Sequence, residues 1–440
     1  MLSDSGSGGR ILTVLRNSKL LRWTQTEDGE IYEGWIVVAS AATVVMLVAG
    51  FFFYGLTTFF VEFREEFGWT AAATAIGFSL RSEVGGIAAP LVGWMLDRTA
   101  PRYVLRAGIL VSAAGCVALS FIQNLLHFYL AMLLIAAGNS ASGGQVGQYA
   151  TATWFKAKRS LAMALMTFGG AVGGALVYFV ALAVEALGWR PTLRGMAVIL
   201  VVVAMTVGVR VRKRPDDHPQ PLDGVALTPG QSGRPSDWEI PLRECVRSPS
   251  FVLLTLATTL TDFVRIAFVV HVAAFMENQL GTAKATAGLA LLIFSLASAP
   301  GRVYVGWLGD KYPLRNVLAS TMVPFAFGFV VLATATEPWH GFVAVLFVAP
   351  GFGGSVPLRP AIYAQYYGIS TLGRVMGIGR LASTTGGALG AWFLGWLVDA
   401  DGGSYDKAWL VAAAVTLLAI PASLVAKPPT DLQRIHERHD

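Results

Sequence analysis

The 440-residue sequence sets arginines and carboxylates inside long apolar runs. A charge at the centre of a bilayer costs roughly 2.5–3.5 kcal/mol on insertion scales, so each such residue is a functional candidate by default. Arg81 and Glu83 fall in the run 72–96, and Asp262, Arg265 and His271 in 250–275. Arg302 falls in 285–309, Arg359 in 339–362 and Arg380 in 373–398. Asp262 and Arg265 are spaced i, i+3 and share a helical face, so they either form a self-contained structural pair or serve a polar cavity. Arg302 lies about 12 Å along its helix from Asp310, and its helix offers no acid near it, with Leu296, Ala297, Ser298 and Ala299 before it. An arginine without a local acid is a two-pronged clamp for a carboxylate, with packing or a helix-end role as the alternative. Arg380 is about seven residues into its run and Arg359 is near the end of its own, so both are within snorkelling reach of the interface. Glu83 and Asp262 are the intramembrane carboxylates available to carry a proton, unless they are fixed partners of Arg81 and Arg265. His271 is expected at the solvated outer interface. Tyr54, Thr57, Asn139, Gln145, Gln148 and Thr167 offer polar wall for a cavity or interhelical hydrogen bonds, and Tyr54 and Asn139 join Arg302 as expected substrate contacts.

These side chains need a membrane scaffold, and the composition supplies one. Charged residues make up 14% of the chain and hydrophobic residues 54%, whereas soluble proteins carry about 25% charged residues. Mean hydropathy is +0.58. Runs long enough to cross roughly 30 Å of hydrocarbon recur at 35–58, 72–96, 103–123, 126–150, 160–186, 192–209, 250–275, 285–309, 314–334, 339–362, 373–398 and 407–426. The pattern predicts an all-α membrane protein with twelve transmembrane helices. Residues 1–33 form a polar tail, 34–210 the first six helices, 211–249 a flexible linker rich in proline and charge, 250–426 the second six helices, and 427–440 a second tail.

The net charge of +6 reflects topology rather than nucleic-acid binding. Basic residues gather in alternate loops, as at Arg98 and Arg102, Lys156 to Arg159, Arg210 to Arg214, and Lys311 and Arg315. The intervening loops are acidic or neutral. The positive-inside rule therefore predicts both tails and the linker in the cytoplasm, and a multi-pass protein of the cell membrane. No short apolar core with a cleavage site precedes the first run, so no cleaved signal is expected. Cys116 and Cys245 are not expected to form a disulfide.

A repeat joins the halves. GWMLDRTAPRYVL (93–105) aligns without gaps to GWLGDKYPLRNVL (306–318), an offset of 213, and GGAL at 173–176 recurs at 386–389 with the same offset. Two pseudo-symmetric six-helix bundles built on one template follow. Gly93 and Gly306 allow close helix approach, while Asp97 and Asp310 sit at helix ends where each can take a basic residue or a neighbouring helix terminus. Arg98, Arg102, Lys311 and Arg315 complete the two copies, expected as a gating latch on the cytoplasmic side, with plain helix-end anchoring as the alternative. The glycine-rich stretches GGAVGGAL and TTGGALGAWFLG are explained by tight packing or by sliding between the halves.

The paired GxxxD(R/K)xxxR segments resemble the loop motif of the major facilitator superfamily. YEGWIVV, EEFGWTAAA, ATWFKAKRSLAMAL and AQYYGISTLGRVMGI further resemble its monocarboxylate-porter and oxalate/formate-antiporter branch. The resemblance implies the major facilitator fold and movement of small organic anions, with a proton or in exchange for another anion. It also implies a substrate-binding arginine four residues before a glycine in the eighth helix, which Arg302 and Gly306 match, and a cation in the eleventh, which Arg380 supplies. Ser298 stands where the family pattern has a proton-coupling aspartate, and Tyr54 stands near the place of a lysine, so the family's proton mechanism does not carry over directly.

The expected function is secondary active transport of a monocarboxylate-like anion by alternating access. Efflux of an amphipathic or drug-like compound is the runner-up, which the aromatic run FFFYG would serve, and a non-transporting sensor or scaffold is the alternative of another class. An enzyme is disfavoured: the sequence has no phosphate-cradling glycine loop, no metal-ligand His/Cys cluster and no nucleophile elbow. No cofactor, metal or nucleic acid is expected. The expected partners are the anion, protons where coupling uses them, and the lipid bilayer, with a monomer as the unit.

Overall fold

In hydrocarbon an apolar run can satisfy its backbone only within itself, so the chain crosses as helices. The computed structural model describes residues 24–26, 29–215, 218–225 and 234–437. Its spans are α1 (Glu33–Thr58), α2 (Ala71–Ile87, continued as Ala89–Arg98), α3 (Pro101–Ser120), α4 (Leu125–Trp154), α5 (Arg159–Leu187) and α6 (Trp189–Arg210). The second six are α7 (Pro249–Asn278), α8 (Lys284–Gly309), α9 (Leu314–Ala333), α10 (Pro338–Tyr367), α11 (Leu372–Ala400) and α12 (Asp406–Val425). Among the described residues eleven helices are long and apolar enough to cross a membrane on their own, and α2 fills the twelfth place across a turn at Ala88. Pro90 lacks the N–H that would continue the ladder through that turn.

Six crossings per half return the chain to the face it started from, so the start of α1, the end of α6, the start of α7 and the end of α12 share one face, here termed the terminus face. Contacts between the halves run mainly through α2 against α11 and through α5 against α8 and α10. The second half has its own apolar core towards the opposite face, built around Phe268, Phe329 and Trp409. α1 loosens into a wide turn at Ala49–Tyr54 and a tight one at Gly55–Thr58, and α5 tightens at Gly173–Ala175 directly alongside. A Cβ on Gly173 would sit 2.5 Å from the Met46 carbonyl oxygen, so glycine is what lets α1 and α5 touch there.

The linker differs from expectation. Its described residues are packed on the terminus face. Asp223, at φ +59°, accepts hydrogen bonds from the backbone N–H groups of Lys156, Ala157 and Lys158 at 3.0–3.1 Å. Lys156 pairs with Asp237 at 2.8 Å, and Arg159 donates to the Pro235 carbonyl at 2.7 Å. The same segment reaches the second half: Ile240 N–H donates to the Tyr367 carbonyl, and Glu239 accepts from Ser370 N–H at 2.7 Å. Partners on two bundles hold the described residues of this segment in place.

Candidate functional site

A chamber of about 790 Å³ lies between the halves, walled by α1, α4 and α5 on one side and by α7, α8, α10 and α11 on the other. It extends from Tyr363 and Met376 near the terminus face to Gly288, one turn from the opposite end of α8. Gly288 is exposed, and a Cβ there would meet nothing within 4 Å.

Among the described residues its charged wall is one-sided. Arg265, Arg302, Arg359 and Arg380 all come from the second half, together with a single acid, Asp262, while the first half contributes Tyr54, Thr57, Gln145 and Gln148. The expected Asp262–Arg265 pair is present, with Arg265 Nε 2.8 Å from Oδ1. Arg359 adds a two-pronged contact, Nη1 to Oδ2 at 2.6 Å and Nη2 to Oδ1 at 3.0 Å. Arg359 therefore does not snorkel to the interface as expected, because an acid one helix away captures it. Asp262, buried between two guanidiniums, is built as a counter-ion, a geometry that opposes the proton-carrying role expected of it.

Arg302 is 7% exposed and has no acid partner among the described residues. Its Nη1 donates to the Thr167 carbonyl of α5 across the interface between halves, and its Nε is buried without a partner. Arg380 is open to the chamber with no hydrogen-bond or ion-pair partner among the described residues. Phe352 lies beneath both Arg265 and Arg302, their guanidinium carbons 5.2 and 5.8 Å from its ring centre. The Tyr54 hydroxyl lies 3.3 Å from Ser295 Oγ, a further contact between halves.

Asn139 is not on the chamber wall. Its Oδ1 accepts from Ser112 Oγ at 3.2 Å, which makes it a link between α3 and α4 rather than a substrate contact. Gln145 Nε2 reaches the carbonyls of Ala89 and Gly373, both at 3.3 Å, and helps close the chamber floor. His271 is not simply solvated: its Nε2 donates to the Ala391 carbonyl at 3.0 Å. The side chains of Arg81 and Glu83 lie outside the described residues. Cys116 and Cys245 are buried and free.

Below the chamber the two motif copies close the terminus face. Asp97 accepts from the N–H groups of Gly373 and Arg374 at 2.8 and 3.2 Å, at the start of α11, and pairs with Arg374 Nε at 2.6 Å. Asp310 accepts from the N–H groups of Ser160 and Leu161 at 2.8 and 3.1 Å, at the start of α5. Free N–H groups and the helix dipole make such an N-terminus a natural carboxylate seat. The register is the repeat itself: Gly373 and Arg374 follow Ser160 and Leu161 by 213, the offset that also separates Asp310 from Asp97. Leu161 stands where the other copy has Arg374, so Asp310 has backbone donors but no guanidinium. Burial pushes the Asp310 carboxyl up to about 6 despite those donors. The motif's basic residues do not pair with its aspartates. Arg98 stacks 4.3 Å over Trp94, Arg102 lies 4.8 Å over Tyr103, and Lys311 lies 3.8 Å over Trp307, each on an aromatic of its own segment, while Arg315 Nη1 is buried without a partner. Gly93 and Gly306 sit where the helices touch: a Cβ on Gly93 would come 2.1 Å from the Gly373 carbonyl oxygen, and one on Gly306 2.4 Å from the Ala164 methyl.

Comparison with known proteins agrees with this architecture. Bovine monocarboxylate transporter 13 is 28% identical over 403 residues, covering 90% of this chain and 89% of that protein. The oxalate:formate antiporter of Oxalobacter formigenes is 22% identical over 419 residues, covering 92% and 94%. Among solved structures, the transporter FucP in an outward conformation superposes with a TM-score of 0.71 at 16% identity, covering 90% of this chain and 99% of that one. The proton:xylose symporter XylE superposes with a TM-score of 0.70 at 15% identity, covering 92% and 99%. The family model of the Major Facilitator Superfamily matches residues 42–270 and 254–440. With that match spanning both bundles, the chain belongs to the major facilitator superfamily and is a transporter, not an enzyme.

Proposed function

We propose that this transporter moves a small organic anion bearing carboxylate, binding it between the halves and exposing it alternately to the two faces. The observation that carries this reading is the pair of chamber guanidiniums, Arg302 and Arg380, that have no acid partner among the described residues. An unpaired guanidinium in a partly dry chamber is costly until an anion arrives, and its fork matches a carboxylate. Arg302 gives up only a backbone carbonyl, Thr167, to take one. Phe53 from the first half and Phe294 and Phe352 from the second line the same chamber and suit the apolar body of an organic anion. The terminus face is the cytoplasmic one in this reading, by the loop charges, and the membrane is the cell membrane. The names of the monocarboxylate and oxalate:formate relatives point to the same substrate class.

Reconstituted protein in proteoliposomes tests it. Uptake of labelled carboxylates is expected, driven by an imposed pH gradient if the cycle is proton symport, or by a preloaded anion if it is exchange. Arg302→Ala is expected to reduce uptake at least a hundredfold while leaving the melting temperature within a few degrees. Absence of uptake and binding for every carboxylate tried refutes the anion reading.

A further inference from the structure

We infer that Asp262 is a built-in counter-anion of the substrate chamber, which occupies the fork of Arg359 and one edge of Arg265 and thereby sets how many negative charges a transported anion carries. The inference rests on the carboxylate reading above and adds to it a residue that determines specificity.

The described wall holds four guanidiniums and one carboxylate. Asp262 lowers the chamber's net charge from four positive to three, and it also decides which cations are free. Arg359 has both terminal nitrogens on Asp262, at 2.6 and 3.0 Å, so its fork is filled before any ligand enters. Arg265 uses only Nε. Arg302 and Arg380 have no acid at ion-pair distance among the described residues. A carboxylate that served only to tie α7 to α10 would need one cation and no open chamber. Asp262 engages two, on the chamber wall, with the Arg265 and Arg359 side chains about one-fifth exposed to the space a ligand would fill. Facing it are Arg265 on its own helix, Arg359 and Tyr363 from α10, and Arg380 from α11. A unit charge a few Å away in a partly desolvated site changes ligand affinity by tenfold or more. Substrate charge is therefore set in the chamber by the balance of fixed charges, with Asp262 as the one negative contribution among the described wall residues.

The test uses the full chain and three probes of similar length, butyrate, glutarate and tricarballylate, which carry one, two and three carboxylates. Asp262→Asn is expected to raise the ratio of tricarballylate to glutarate affinity at least tenfold, and Asp262→Glu to hold it near the wild-type value. Arg359→Gln, which removes a cation and leaves Asp262 with Arg265, is expected to move selectivity the other way, towards butyrate. Unchanged ratios in both Asp262→Asn and Arg359→Gln overturn the inference and leave Asp262 as a structural tie. Should Asp262→Asn fail to fold, the ratio in Arg359→Gln decides alone. Wild-type protein that binds none of the three probes overturns the carboxylate reading itself, an outcome distinct from unchanged ratios.

Discussion

Replacing Gly93 with alanine perturbs the latch at its tightest point. The added methyl would stand 2.1 Å from the Gly373 carbonyl oxygen and 2.6 Å from the carbonyl carbon, both backbone atoms that no rotamer change can clear. Relief to an ordinary contact needs α2 and α11 to part by about 1 Å. Asp97 reaches Gly373 N–H at 2.8 Å and Arg374 N–H at 3.2 Å, and an extra 1 Å takes both beyond hydrogen-bonding distance. Hydrogen bonds to a charged group contribute about 1.5–3 kcal/mol each, and water recovers part of that in the opened state. The closed terminus face should therefore lose about 2–4 kcal/mol against the open one, a population shift of at least roughly tenfold. A reporter cysteine at Gln148, on the chamber wall, reads this through its labelling rate with an impermeant maleimide applied at the terminus face. The native Cys116 and Cys245 are buried and contribute little background. Gly93→Ala is expected to speed labelling at least tenfold, and Gly306→Ala, whose methyl would meet Ala164 at 2.4 Å, should act likewise. Gly195→Ala, where a Cβ meets nothing within 4 Å, should leave the rate unchanged. Folded Gly93→Ala and Gly306→Ala proteins that label at the wild-type rate would refute the latch.

Two further predictions follow from the terminus face. The Asp310 carboxyl is pushed up to about 6 in the closed state and returns to near 4 when solvated. The closed state therefore holds the proton more tightly, and acidification from pH 6 to 4 favours closure by at most about 1.4 kcal/mol per pH unit. The ratio of the wild-type maleimide rate to that of Asp310→Asn, which cancels the thiolate's own pH dependence, should fall over that window; a ratio independent of pH would exclude the assignment. Asp223→Ala removes the acceptor of three backbone N–H groups and places an ordinary side chain at φ +59°, and should lower stability by about 2 kcal/mol in thermal unfolding. Asp223→Asn, which tolerates that conformation and keeps one acceptor oxygen, should cost less.

The spans were legible because apolar run length and the bilayer's thickness are local properties, and the repeat offset then gave both motif copies their register. That Gly93 and Gly306 mark close approach could also be read from sequence, since few residues but glycine permit it. The identity of the contact partners could not. Asp97 meets residues 276 and 277 positions away, a pairing that no periodicity within α2 encodes. Arg359 was misjudged for the same reason: depth along its own helix suggested snorkelling, while the acid that holds it is 97 residues earlier. Asn139 has a polar side chain like its neighbours Gln145 and Gln148, and only the rotation of α4 about its axis turns it to Ser112 instead of the chamber. Proline and charge at 211–249 suggested a flexible linker, and the anchoring of its described residues was not legible, since Asp223 finds its three donors only once α4 and α5 are folded.

The two motif copies are not held alike, and the less strongly held one lies on the helix that carries Arg302. On α2 and α11, Asp97 has two backbone donors and the Arg374 guanidinium. On α8 and α5, Asp310 has the Ser160 and Leu161 N–H groups and the Ser160 hydroxyl, with no guanidinium among the described residues, because Leu161 stands in the arginine's place. The same two helices are joined higher up by Arg302 donating to the Thr167 carbonyl, eight residues from Asp310 along α8 and seven from Ser160 along α5. A ligand that takes the Arg302 guanidinium removes this upper tie from a pair of helices whose lower tie is already the easier to break. The α2–α11 contact has an ion pair to hold it, and its interface is glycine against glycine, where any separation exposes backbone. The arrangement therefore couples chamber occupancy to the terminus face through α8, with α2 and α11 as the stiffer side against which it moves.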